Sequence, residues 1–253
     1  MLLQWGSSRC GAAALLRLYK DIMTSAISSS LEAVRRRLAA AEAAAGRIPG
    51  SVRLLAVSKT FPADTIQEAY AAGQRAFGEN YVQELQAKGA ELAGLDIEWH
   101  FIGPLQSNKT RPVAELAHWV HSVERLKIAE RLSAQRPETL PSLNVCLQVN
   151  VSGEASKSGC EPHEAVALAR AVATLPRLRL RGLMCIPEPT ADQALLAGQF
   201  AVLRQLHEEL VAQGLELDTL SMGMSSDLEL AVREGSTLVR VGSAIFGSRS
   251  YSA

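Results

Sequence analysis

The stretch "LLAVSKT", residues 54–60, places a lysine at the end of an apolar run that is typical of a strand. Its apolar residues have the composition of a strand buried on both faces, and they run directly into Ser58 and Lys59. Lysine is scarce in this chain, with six residues against twenty arginines. A lysine at the end of such a strand therefore needs a structural or a chemical reason.

This run is the first of eight short apolar segments that alternate with helical patterns. Apolar residues at three- and four-residue spacing mark the helices, and Gly73 and Gly214 stand where two of them end. The strand candidates are residues 53–59, 75–80, 97–103, 118–124, 143–150, 178–186, 218–224 and 237–247. The alternation predicts an α/β protein with a parallel sheet, and eight units predict a closed (β/α)8 TIM barrel. A doubly wound open sheet is the alternative, although the first turn, "SKTFPAD", lacks the usual glycines.

The N-terminal region divides into an extension and a helix. An extra helix is predicted before the first strand, over about residues 27–45. Residues 1–22 lack the clear positive region of a signal peptide, and their apolar run is broken by Arg17 and Lys20. We expect 1–22 to be an unstructured upstream extension, with Met23 as the natural start, and 23–253 to form a single barrel domain.

Composition excludes several classes of protein. The 253 residues are 47% hydrophobic, which is enough for one large core. The 26 acidic and 26 basic residues balance, so no basic field indicates a nucleic acid or an anionic membrane as partner. Four cysteines without metal-ligand spacing predict a reduced, cytoplasmic protein with neither disulfides nor a metal site. No apolar run is long enough to span a membrane.

Lys59 is the most informative residue in the chain. The functional face of a (β/α)8 barrel is the C-terminal end of its strands, where Lys59 is placed. Partial desolvation there would lower the pKa of the amine and make it available to form a Schiff base with an aldehyde or ketone. The alternative is a lysine that only begins a loop and extends into water.

Two segments late in the chain have the character of phosphate-binding loops. "SMGMSSDLELAV", from residue 221, places small residues before a helix and so offers backbone N–H groups. In "RVGSAIFG", residues 240–247, Gly242 permits close approach and Ser243 offers a hydroxyl. Glycine and serine also form ordinary turns. The two loops together, opposite a strand-end lysine, indicate a phosphate site of the kind that recurs in such barrels.

A Schiff-base lysine that faces a phosphate site fits either a phosphosugar aldolase or bound pyridoxal phosphate. Arg240, inside the apolar run "LVRVG", favours the second, because arginine is one known partner of that cofactor's ring nitrogen. A permanently charged arginine disfavours protonation of the nitrogen and weakens the cofactor as an electron sink. The alternative for Arg240 is an ion pair within the barrel, for instance with Glu79.

Four segments resemble the pyridoxal phosphate homeostasis proteins. They are "AVSKTFPADTIQEAYAAGQRAFGENYVQEL", "EWHFIGPLQSNK", "LQVNVSGEASKSG" and "LSMGMSSDLELAVREGSTLVRVGSAIFGSRSY". The resemblance covers the chain from about residue 27 to its end. It implies a fold similar to the barrel domain of alanine racemase and a role in vitamin B6 homeostasis.

The resemblance also implies site residues. Lys59 would carry pyridoxal phosphate as a Schiff base, and Arg240 would contact the ring nitrogen. The residues implied in the two phosphate-binding motifs are Ser221, Met222, Gly223, Ser225, Gly242 and Ser243. Asn80 is expected beside the cofactor's phenolic oxygen. His100 either forms hydrogen bonds inside the barrel or contacts the cofactor.

Three functions remain open at this point. The first is a monomeric, non-catalytic carrier that binds pyridoxal phosphate and releases it to apoenzymes. The second is a pyridoxal phosphate-dependent enzyme similar to an amino-acid racemase, which needs a second acid/base group opposite the lysine. No tyrosine or cysteine is clearly placed for that task, although His100 and Cys185 are candidates. The third, an interaction scaffold, would not need Lys59.

Overall fold

Eight parallel strands close into a barrel in the computed structural model, which describes residues 10–153 and 158–247, with side chains from residue 26 onward. Each strand pairs with the next, and the eighth pairs with the first. The strands are β1 Arg53–Val57, β2 Ala76–Glu79, β3 Glu98–Phe101, β4 Trp119–Val123, β5 Leu143–Gln148, β6 Leu178–Met184, β7 Thr219–Ser221 and β8 Leu238–Val241. The predicted (β/α)8 barrel is confirmed, and the open sheet is excluded.

Helices follow the strands and cover the outside of the barrel. They are α1 Cys10–Ala44, α2 Ala63–Ala71, α3 Val82–Glu91, α4 Thr110–Leu116, α5 Leu126–Gln135, α6 Pro162–Ala173, α7 Gln193–Ala212, α8 Leu228–Arg233 and α9 Ser243–Phe246. The predicted last strand, 237–247, is therefore shorter, because a helical turn begins at Ser243. Within the described residues, no helix combines the length and the apolar character needed to cross a membrane.

The extra helix α1 begins earlier than the sequence predicted. We expected residues 1–22 to be unstructured, but the helix starts at Cys10, so residues 10–22 are helical. Alanine and leucine, which have high helix propensity, dominate that run. Residues 1–9 lie outside the described residues, and Met23 as the natural start stays a prediction.

The described part of α1 packs by an apolar stripe. Its buried apolar residues recur at alternating spacings of four and three, the pattern of one helix face. They are Ile27, Leu31, Val34, Leu38 and Ala41. This face lies against α2, α8 and α9. The contact joins the helices that follow the first and the last two strands of the barrel.

Alternation along the strands separates the barrel interior from the layer under the helices. In β1, Leu55 and Val57 belong to a small interior cluster, whereas Ala56 belongs to the large core beneath the helices. Lys59 continues the series of Leu55 and Val57, and Ser58 that of Ala56. The strand therefore directs the Lys59 side chain into the mouth of the barrel.

Candidate functional site

A cavity of about 580 Å³ opens where the strands end. Six of the residues singled out from the sequence line it, from the segments after β1, β2, β7 and β8. They are Lys59, Asn80, Ser225, Arg240, Gly242 and Ser243. The fold thus brings together residues that are up to 184 positions apart in the chain, from 59 to 243.

The turn after β1 holds Lys59 at the cavity. Lys59 is half-buried, and the next residue, Thr60, has a positive φ of 68°. The backbone N–H of Phe61 donates to the Ser58 carbonyl at 3.1 Å, and that of Thr60 donates to Glu84 Oε2 at 2.7 Å. The chain therefore reverses immediately after Lys59, so the lysine stays at the end of its strand.

A buried cluster of Glu79, Lys88 and Glu84 supports this turn. Lys88 Nζ donates to Glu79 Oε1 at 2.8 Å, to Glu84 Oε2 at 2.7 Å and to the Ser58 carbonyl at 2.9 Å. Ser58 Oγ donates to Glu79 Oε1 at 2.6 Å. Burial raises the pKa of Glu79 to about 7, against the opposing effects of Lys88 and Ser58. The cluster fixes the residues on both sides of Lys59.

Arg240 is a buried cation that extends from β8, the neighbour of β1, toward the ends of β6 and β7. Its Nη1 donates to the Ser221 carbonyl at 2.6 Å and to Ser221 Oγ at 2.9 Å, and its Nη2 donates to the Cys185 carbonyl at 2.8 Å. Burial lowers the pKa of the guanidinium. Among the described residues it has no ion pair. The expected alternative, a pair with Glu79, is wrong because Glu79 pairs with Lys88.

Polar groups at the cavity are left without partners among the described residues. An arginine has five N–H donors, and three from Arg240 are engaged, so two are available to a ligand in the cavity. The side-chain oxygen Oδ1 of Asn80 is buried and also lacks a hydrogen-bond partner within this part of the chain. Unpaired buried polar atoms are rare unless a ligand or water satisfies them.

The segments after β7 and β8 present serine hydroxyls and backbone donors. Ser225 and Ser226 follow β7, and Gly242 and Ser243 follow β8. Within the described ranges, the backbone N–H groups of Ser225, Ser226 and Ser243 have no recorded acceptor. A Cβ atom on Gly242 would lie 3.1 Å from the Val57 carbonyl oxygen, so glycine allows the two strand ends to approach. This edge suits an anionic ligand.

Four residues predicted for the site lie behind the cavity wall instead. Ser221 and His100 are fully buried in the barrel interior, and Met222 is part of the core. Gly223 has a φ of +96°, and its carbonyl accepts from the Arg240 N–H at 2.9 Å. A Cβ there would lie 2.5 Å from Ala231 Cβ. The geometry gives these four residues supporting contacts, and their expected contact with a ligand stays a prediction.

Sequence reasoning missed the apolar wall of the cavity. Phe61, Ile102 and Ile186 line it, after β1, β3 and β6. Phe61 packs on Phe246 with ring centroids 5.2 Å apart. Their position just past strand ends was the available signal, but apolar residues there also fit ordinary packing. An apolar wall with a few convergent polar groups is typical of small-molecule sites.

Comparison with known proteins gives the same fold and a consistent family. Residues 29–250 match the family model described as "Alanine racemase, N-terminal domain". A protein of Pseudomonas aeruginosa named "Pyridoxal phosphate homeostasis protein" is 63% identical over 229 residues, which cover 90% of this chain and 98% of that one. A protein of the same name from Escherichia coli K12 is 53% identical over 234 residues, covering 89% and 98%.

Solved structures extend the comparison. PipY of Synechococcus elongatus PCC7942, determined with PLP bound, is 44% identical with a TM-score of 0.76, over 87% of this chain and 100% of that chain. Alanine racemase from Corynebacterium glutamicum has a TM-score of 0.69 at 17% identity, over 89% of this chain and 62% of that chain. The second likeness is one of fold alone.

The buried carboxyl of Glu79 predicts a pH-dependent stability. The folded protein keeps this proton up to a pH of about 7, whereas an unperturbed carboxyl loses it near 4.5. Because of Glu79, the free energy of unfolding of the parent protein should fall as pH rises from about 4.5 to about 7, by up to about 3 kcal/mol. Glu79→Gln stays neutral, so its free energy of unfolding relative to the parent should increase from pH 4.5 to 7.

Urea unfolding at a series of pH values measures this difference. Glu84→Gln is the matched control, because hydrogen bonds from Lys88 and Thr60 outweigh burial and lower the pKa of Glu84. The free energy of unfolding of Glu84→Gln relative to the parent should decrease as pH rises, and this change should occur at lower pH than the change for Glu79→Gln. A Glu79→Gln difference that does not vary between pH 4.5 and 7 would contradict the assignment.

Proposed function

The chain belongs to the pyridoxal phosphate homeostasis protein family, and on that premise we propose that it binds pyridoxal phosphate in the cavity at the C-terminal end of the barrel. One observation carries the proposal. A single cavity joins a half-buried lysine, a buried arginine with two unused N–H groups, and an edge of serine hydroxyls and backbone donors.

The residues present fit each part of this cofactor. The cavity has a volume of about 580 Å³, which is in the usual range for a small-molecule site. One of the two free N–H groups of Arg240 would donate to the ring nitrogen, and Asn80 is the residue we propose beside the phenolic oxygen. The wall of Phe61, Ile102 and Ile186 would pack on the ring. When bound, the cofactor supplies an aldehyde that condenses with amines and a ring that withdraws electrons.

Lys59 is the residue we propose to hold the aldehyde, as a Schiff base. Its side chain lies in the cavity, and the buried Glu79–Lys88 cluster fixes its two neighbours in the chain. A primary amine held in this way is the usual nucleophile toward an aldehyde. A lysine that only extended into water would not need this support.

The edge formed by Ser225, Ser226, Gly242 and Ser243 is the proposed phosphate site. It offers hydroxyl and backbone N–H donors, and hydrogen bonds to an anion are stronger than those between neutral groups. Arg240 lies on β8, and the edge residues come directly after β7 and β8. One part of the barrel would therefore hold both the ring nitrogen and the phosphate.

We favour a carrier over a racemase-like enzyme, because a second acid/base group is not evident. Among the described residues that line the cavity there is no histidine, cysteine, tyrosine or carboxylate. Of the two candidates, His100 lies inside the barrel, and burial raises the pKa of the Cys185 thiol to about 12. A charged Arg240 would also leave the ring nitrogen unprotonated.

Homeostasis then means reversible binding and release. We propose that the protein is a monomer that passes pyridoxal phosphate to apoenzymes in the cytoplasm. The described thiols Cys146, Cys160 and Cys185 are free and buried, which fits a reducing compartment.

Attachment at Lys59 is testable by chemical trapping. Borohydride reduction of the loaded protein, followed by peptide mapping, should place a pyridoxyl group on Lys59. Lys59→Ala should lose the Schiff-base absorbance, whereas Lys127→Ala, at an exposed position of α5, should keep it. A label on another lysine, or an unchanged spectrum for Lys59→Ala, would overturn the assignment.

The carrier function predicts little chemistry on amino acids. In heavy water, the loaded protein should exchange α-protons of alanine and other common amino acids far more slowly than about one per second, since enzymes turn over at that rate or faster. NMR of a panel of amino acids measures this. Fast exchange that disappears in Lys59→Ala would replace the carrier with the racemase-like alternative.

A further inference from the structure

A row of buried polar side chains connects Arg240 with the opposite end of the barrel. Ser221 Oγ lies 2.9 Å from Arg240 Nη1 and 2.9 Å from His121 Nδ1. His121 Nε2 lies 2.8 Å from His100 Nδ1, and His100 Nε2 lies 2.6 Å from Glu98 Oε1. Glu98 is the first residue of β3, at the end of the barrel away from the cavity. We call these five residues the interior relay.

When both histidines are neutral, the Glu98 carboxylate gives every hydrogen bond in the relay one direction. A guanidinium only donates, so Ser221 Oγ accepts from Arg240, and its own hydroxyl donates to the unprotonated Nδ1 of a neutral His121. His121 then carries its proton on Nε2 and donates to His100 Nδ1. His100 likewise donates from Nε2 to the Glu98 carboxylate, which only accepts. Each histidine in this arrangement carries one proton, on Nε2.

The surroundings of the two histidines favour this neutral state. Both rings are fully buried, and burial lowers both pKa values. The charged and titratable groups that act on them are Glu98, Arg53, His118 and Arg240, together with each other. His100 also stacks on Trp119, with ring planes 6° apart. One carboxylate faces two arginines, so protonation of either ring would add a third cation.

The relay gives Arg240 a distant counter-charge. Arg240 has no ion pair of its own among the described residues, and a chain of hydrogen bonds in a low-dielectric interior polarises along its length. Glu98 ends that chain and is also paired with Arg53. Burial raises the pKa of Glu98, but hydrogen bonds from His100 and Arg53 and the charge of Arg53 outweigh it and lower the pKa.

We propose that His121 is a positioning residue for Arg240: through Ser221 on one side and His100 and Glu98 on the other, it orients the guanidinium toward the ring nitrogen of the bound cofactor. The ligand's identity rests on the proposed function, whereas the direction of the relay does not. Sequence reasoning singled out His100 and Ser221 but not His121, which joins them.

NMR of the full-length chain labelled with nitrogen-15 tests the relay without any cofactor. Long-range proton–nitrogen correlations report which ring nitrogen of each histidine carries the proton. His100 and His121 should both be neutral with the proton on Nε2 at pH 7, and each signal should be absent in the spectrum of the matching His→Phe variant. A proton on Nδ1 of His121, or a doubly protonated ring at pH 7, would overturn the proposal.

A double-mutant cycle tests its effect on binding. Glu98→Gln should weaken the binding of pyridoxal phosphate about tenfold, as expected for a weakened hydrogen-bonded charge contact. In the His121→Phe background, Glu98→Gln should have almost no further effect, because the relay is already broken. Additive losses would overturn the proposal. If His121→Phe does not fold, Ser221→Ala breaks the same chain with a smaller change.

Two controls separate positioning from a general loss of stability. Asp218→Asn removes a carboxylate that is also paired with an arginine, Arg181, next to the start of β7 and outside the relay, and it should not change the affinity. The 1-deaza analogue of pyridoxal phosphate has carbon in place of the ring nitrogen, so Glu98→Gln should not weaken its binding. A loss of equal size in either control would overturn the positioning role. No binding of pyridoxal phosphate by the parent protein would instead overturn the proposed function and leave the NMR result standing.

Discussion

The burial of the Arg240 guanidinium is the constraint on which the site depends. A buried cation without an ion pair among the described residues needs acceptors, and Ser221 and the Cys185 carbonyl supply three hydrogen bonds. These contacts tie the end of β8 to those of β6 and β7. Arg240 also lines the cavity and keeps two N–H groups without a partner among the described residues, which suits a ligand with an acceptor there.

A second buried charge group, Glu79 with Lys88, supports the other side of the cavity. Together with Glu84 it contacts the residues on both sides of Lys59, at the carbonyl and hydroxyl of Ser58 and the backbone N–H of Thr60. The barrel thus uses two separate polar clusters to hold a nucleophile after β1 and a ring-nitrogen partner on the neighbouring strand β8. The cavity between them is complete before any ligand enters, which favours reversible binding over a large structural change.

Much of this architecture could be predicted from local patterns. Alternating apolar runs predicted the eight strands, and the glycine and serine segments predicted the edge with Ser225 and Ser243. The position of Lys59 at a strand end predicted that it lies at the barrel mouth. Periodicity and turn chemistry are properties of a few adjacent residues, and so a single sequence reveals them.

Partnerships between distant residues could not be predicted in this way. The sequence offered Glu79 as a possible ion-pair partner for Arg240. In the structure this carboxylate is paired with Lys88 of α3, nine residues after Glu79. His121 stood in a predicted strand, but nothing local indicated that it would join His100 to Ser221, which is 100 residues away. The start of α1 was also missed, because the helix was predicted only from about residue 27, and the helix-forming run before it was assigned to an unstructured extension.

A crystal structure of the protein with pyridoxal phosphate tests the central claim most directly. The account predicts continuous density between Lys59 Nζ and the cofactor's aldehyde carbon, with an Arg240 N–H group within hydrogen-bond distance of the ring nitrogen. Cofactor bound away from this cavity, or a ring nitrogen that does not contact Arg240, would contradict it.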